Sequence, residues 1–76
     1  SEGRQYLEQY IASLKNYNQS AEKLKALRKT YSDSGERDRV NLKREILSLE
    51  KSMLKESEEL MYLKNSVIKA ERRKIN

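Results

Sequence analysis

The apolar residues in the second half of the chain keep a strict beat. Leu42, Ile46, Leu49, Met53, Glu56, Leu60, Leu63, Val67 and Ala70 are separated alternately by four and three positions, and Glu56 is the one polar occupant. That alternation is a heptad seam, the pattern of an α-helix that buries one stripe against a neighbouring helix. A second column runs beside it: Val40, Leu47, Leu54, Met61, Ile68 and Ile75 recur at every seventh residue. At 100° per residue the two columns together cover roughly 160° of the helix surface. A two-stranded coiled coil uses a narrower strip, so this width predicts more than one helical neighbour.

The first half carries the same beat with weaker residues. Tyr6, Tyr10, Ser13, Tyr17, Ser20, Leu24, Leu27 and Tyr31 form a seam, flanked by Leu7, Ile11, Leu14, Asn18 and Ala21. Tyrosine offers a large apolar ring with a hydroxyl that needs a partner or water. A face built from such rings suits the edge of a bundle or an interface.

The two seams do not join. Continuing the first beat past Tyr31 leads to Ser34, Asp38 and Asn41, all polar, and the second seam restarts at Leu42, one residue out of step. Between them lies Ser32-Asp33-Ser34-Gly35-Glu36. Gly35 can take a positive φ and close a helix. Ser32, Asp33 and Ser34 are each able to cap a following helix, and Asp33 with Glu36 has the spacing of a capping pair. Lys23, Lys25, Arg28 and Lys29 fall toward the end of the first helix, where positive charge is favoured.

The expected fold is therefore all-α: one domain over residues 1–76, an antiparallel helical hairpin resembling a coiled coil. Helix one spans about 3–31, the turn 32–35 and helix two about 36–74. At 1.5 Å per residue the helices are roughly 43 and 58 Å long, and the second overhangs by about ten residues. The competing arrangement is one long helix kinked at Gly35, since a lone glycine costs only about 1 kcal/mol inside a helix. A hairpin buries one column from each helix and leaves the other wet, so oligomerisation or a second helical protein is expected to complete a bundle.

Composition narrows the function. The 76 residues include no Cys, His or Pro and two Gly. Disulfides, thiolate chemistry and zinc sites built on Cys or His are excluded. No nucleophile–base constellation is present, so the chain reads as a non-enzyme with no cofactor and no metal. The longest apolar run, Leu60-Met61-Tyr62-Leu63, spans four residues, far too short to cross a bilayer and unlike a signal peptide. A cytoplasmic location is the expectation.

Seventeen Lys and Arg against twelve Asp and Glu give a net charge of +5, with both signs interspersed as on a solvated helix surface. Basic residues gather near the turn (Lys25, Arg28, Lys29, Arg37, Arg39, Lys43, Arg44) and at the tail (Lys69, Arg72, Arg73, Lys74). The function expected is protein–protein assembly, pairing with a second copy or another helical protein. The partner-binding residues expected are Tyr6, Tyr10 and Tyr17 with Val40, Leu47, Leu54, Met61 and Ile68. The alternative is a small basic hairpin dimer that binds nucleic acid, with Lys69, Arg72, Arg73 and Lys74 on phosphates. Glu56 either snorkels to the edge of its seam, pairs with a Lys or Arg across the bundle, or marks the level where a partner's polar group enters.

Overall fold

The computed structural model describes residues 2–75, with the side chain of Ile75 outside the description. Two helices, α1 (Glu2–Asp33) and α2 (Glu36–Ile75), account for nearly all of it. They lie antiparallel, so that contacts pair residues ever farther apart in sequence with distance from the turn. Arg28 meets Glu50, Ser20 meets Glu56 and Glu2 meets Arg73. The hairpin is a rod of 60 × 15 × 13 Å.

The predicted seams face one another. Every position of the α2 series from Leu42 to Ala70 is buried or half-buried, as is every position of the α1 series from Tyr6 to Tyr31. Leu24, Met53, Leu63 and Ala70 are the buried apolar centre, and Leu63 is only 1% exposed. The α1 seam reaches one step further than its apolar residues reveal. Gly3, three residues before Tyr6 and so in step with the beat, is buried against Ala70. A Cβ added to Gly3 would sit 3.3 Å from the Ala70 Cβ, so two small residues let the helices close together at the open end. Because Gly3 is level with Ala70, only residues 71–75 extend past it. The overhang past Gly3 is about half of that expected.

The turn is shorter than expected and built differently. α1 continues through Asp33, leaving Ser34 and Gly35 as the connection. Gly35 does not adopt a positive φ. It stands at the N-cap of the second helix instead: its carbonyl accepts the backbone N–H groups of Asp38 and Arg39, both at 3.2 Å. The Ser34 hydroxyl turns backwards to donate to the Thr30 carbonyl at 2.6 Å rather than forwards as a cap. Asp33 and Glu36 form no capping pair.

Since α1 runs to Asp33, its last turn contains no basic residue. The cation at this end comes from α2. Arg39 donates from Nε to the Tyr31 carbonyl at 3.1 Å and from a terminal nitrogen to the Ser32 carbonyl at 3.2 Å. Its guanidinium lies 5.1 Å from the centre of the Tyr31 ring. One side chain thus satisfies carbonyls that the helix end leaves without partners, places positive charge at the negative end of the α1 dipole, and stacks on an aromatic face.

Candidate functional site

An antiparallel pair of helices is related by a two-fold axis normal to its broad face. Residues that directly follow seam positions in either helix therefore emerge on the same side of the hairpin. Arg28 follows Leu27 and Glu50 follows Leu49, and these two join across the helices at 3.1 Å, marking that side. Val40, Leu47, Leu54, Met61 and Ile68 each directly follow a seam-register residue of α2. Leu7, Ile11 and Leu14 do the same in α1. Sequence spacing thus gathers both apolar columns on one broad face.

All eight of these side chains are exposed. On α2 they range from 39% for Ile68 to 65% for Met61. Leu54, Met61 and Ile68 lie along the half of the rod nearer its open end, the half that also carries Leu7, Ile11 and Leu14. In the half nearer the turn the apolar residues are Val40 and Leu47 alone, and the neighbouring α1 positions are Lys25 and Arg28. Apart from the exposed ring of Tyr62, the opposite broad face is polar. Its shallow grooves are lined by Ser13, Asn16, Gln19, Lys23, Lys55 and Glu59 in one stretch and by Glu45, Ser48 and Ser52 in another.

The tyrosines sit elsewhere than the apolar columns. Tyr6, Tyr10 and Tyr17 are half-buried in the hairpin's own seam, facing α2, so at most their edges reach either broad face. The residues proposed for a phosphate contact do not form a single free cluster. Arg73 holds Glu2 at 3.0 Å and Lys74 holds Glu71 at 3.3 Å, while Lys69 and Arg72 are exposed. Exposed ion pairs of this kind contribute little to stability.

Glu56 has a partner within the chain. Its carboxylate accepts a hydrogen bond at 3.0 Å from the hydroxyl of Ser20, itself a polar occupant of the α1 seam. The two polar breaks in the pattern therefore coincide in space. Among the described residues no buried side-chain nitrogen or oxygen lacks a hydrogen-bond partner, and no group of three or more acidic, histidine or cysteine side chains is placed to hold a metal ion. No helix is long and apolar enough to cross a membrane among the described residues.

Arg39 is the residue that pattern reading passed over. In sequence it is one of seven cations near the turn. Its register gave a usable signal: it falls four residues before Lys43 and three before Leu42, on the seam itself, where an arginine needs a reason. Comparison of the chain with protein-family models, with curated proteins and with solved structures gives no match.

Proposed function

We propose that this hairpin is a non-catalytic protein–protein interaction module that pairs with helical protein through the broad apolar face. The observation that supports the reading is the unbroken exposed column Val40, Leu47, Leu54, Met61 and Ile68, with Leu7, Ile11 and Leu14 alongside. Fully burying a side chain of this size is worth about 1.5–3 kcal/mol, so covering these half-exposed residues supplies a driving force for association. The area of the whole chain agrees. It exposes 6333 Å², whereas a compact monomer of its mass would expose about 4,850 Å². The excess is larger than the roughly 800 Å² that one side gives to a standard protein–protein interface.

The test is a double substitution, Leu54→Lys with Met61→Lys. Both side chains point to solvent, so helicity by circular dichroism should stay within a tenth or so of wild type. Association, followed as self-association by light scattering over a concentration series and as complex formation with a helical partner, should be lost. Association that survives the double change would place the interface on another surface and end this assignment.

A further inference from the structure

Where the apolar column of α2 approaches the turn, its outer edge is lined by cations, with Glu36 beyond Val40 and Glu50 on the inner edge. Val40 stands between Arg37 and Arg44, three residues before and four after it. Leu47 stands between Arg44 and Lys51, and Leu54 is preceded by Lys51. On a helix these separations make neighbours. Arg37, Arg44 and Lys51 therefore form a heptad-spaced ridge along one edge of the column, and all three are exposed. Lys43, on the other edge, and Lys25, on α1 beside it, are exposed as well. Among the described residues none of these five takes part in an ion pair, although carboxylates elsewhere on the rod do. Toward the open end the same face changes character: Leu7, Ile11 and Leu14 of α1 join Met61 and Ile68 of α2, and Glu58 interrupts the cationic ridge.

Resting on the interaction reading above, we infer that the occupant of this face is a third helix from a protein other than this chain. That helix is apolar along one stripe and acidic along the flank that meets Arg37, Arg44 and Lys51. It would complete a three-helix bundle. Val40 to Ile68 spans about 42 Å at 1.5 Å per residue, so the segment needed is about 28 residues long. A second copy of the chain fits this face less well. It carries the same net charge of +5. Of the acids that border its column, Glu50 is already held by Arg28 and Glu71 by Lys74, which leaves Glu36 and Glu58 against the five unpaired cations. Self-pairing would bring unpaired cations to the seam with few free carboxylates to meet them, which selects against like partners. The two-ridged form of the face favours a helix over a flat anionic membrane, because Leu7, Ile11 and Leu14 stand on one helix and Met61 and Ile68 on the other.

The experiment uses the full chain and two labelled synthetic peptides of about 28 residues. Each has Leu at both seam positions of every heptad; one carries Glu and the other Lys at the flanking positions. Like charges keep each peptide from pairing with itself. Fluorescence anisotropy at low and high salt, light scattering of the chain alone, and flotation with phosphatidylserine vesicles complete the set. The inference expects the Glu peptide to bind about tenfold or more tightly than the Lys peptide, with the difference shrinking at high salt. In the triple variant Arg37→Glu, Arg44→Glu, Lys51→Glu, with helicity intact, the preference should reverse, whereas Leu47→Lys with Leu54→Lys should abolish binding of both. Equal affinity for the two peptides overturns the acidic assignment. A stable dimer that binds neither peptide overturns it too, in favour of a second copy, while leaving the interaction reading in place. Flotation with vesicles and no peptide binding overturns it in favour of a membrane. A monomer that binds no peptide and no vesicle defeats both the inference and the reading beneath it.

Discussion

At the scale of single residues, the exceptions to the heptad do the specifying. A seam of Leu and Ile alone can slide by a turn with little penalty, because one apolar contact resembles the next. Ser20 and Glu56 oppose this by meeting: a shift of one heptad toward the turn would set the Glu56 carboxylate against Leu27, and a shift either way would set the Ser20 hydroxyl against a leucine, and unmet polar groups in a seam are costly. Arg39 fixes the other end by tying α2 to the Tyr31 and Ser32 carbonyls. Gly35 is the residue whose role departs most from expectation. Because its φ is not positive and no atom lies within 4 Å of where a Cβ would be, it does not need to be glycine. Its carbonyl accepts the first bonds of α2, which is the N-cap position, where Ser outranks Gly. Gly35→Ser should therefore stabilise the hairpin, by about 0.5 kcal/mol from the cap and the reduced freedom of the unfolded chain. Urea denaturation would measure it. A loss of 1 kcal/mol would show that a positive φ is needed after all.

At the scale of elements, the helices and their facing sides were legible because a period of three and four is a geometric statement: it names one side of a cylinder. Leu42 to Ala70 and Tyr6 to Tyr31 could be assigned to the seam without knowing what they touch. What periodicity does not encode is which neighbour each side meets, and the tyrosines show it. Tyr6, Tyr10 and Tyr17 have amphipathic rings that suit an interface, and their register sets them half-buried against α2, with Tyr17 also lining a groove beside Leu54. The turn was legible as a break but not as a geometry, since Ser32, Asp33, Ser34 and Gly35 are compatible with several closures and the helix simply continued until Arg39 could cap it. The gathering of both apolar columns on one face was implicit in their shared offset from the seams, and became visible only once the helices were antiparallel. These two columns differ sharply in what they owe to folding. Leu63→Ala should cost about 2–5 kcal/mol, because the side chain is 1% exposed and leaves a cavity. Leu54→Ala, on a residue 62% exposed, should change stability by no more than about 0.5 kcal/mol. Parallel thermal melts of the two variants would show the difference, and similar losses would mean that Leu54 is covered in solution.

At the scale of the whole molecule, the hairpin is all surface and little interior. Its centre is a single file of residues, so every layer is bordered by solvent on both broad faces. One of those faces is polar apart from Tyr62, with grooves lined by Ser, Asn, Gln, Lys and Glu. The other carries the apolar columns. The asymmetry leaves an extended exposed apolar face on one side of the rod. Contacts also widen steadily in sequence from Tyr31–Arg39 near the turn to Glu2–Arg73 at the open end. The loop-closure cost of each new layer is small once the previous one has formed, so the clasp at the turn is the natural place for pairing to begin.

The rod form also governs how the chain moves through solvent. Its radius of gyration is 17.3 Å, against about 11.4 Å for a compact domain of the same length. Friction rises with that extension, so the particle diffuses slowly for its 9.0 kDa. On a gel-filtration column it should elute ahead of compact standards of equal mass, and the elution position should imply a larger particle than light scattering reports on the same peak. Agreement between the two would mean a more compact form in solution.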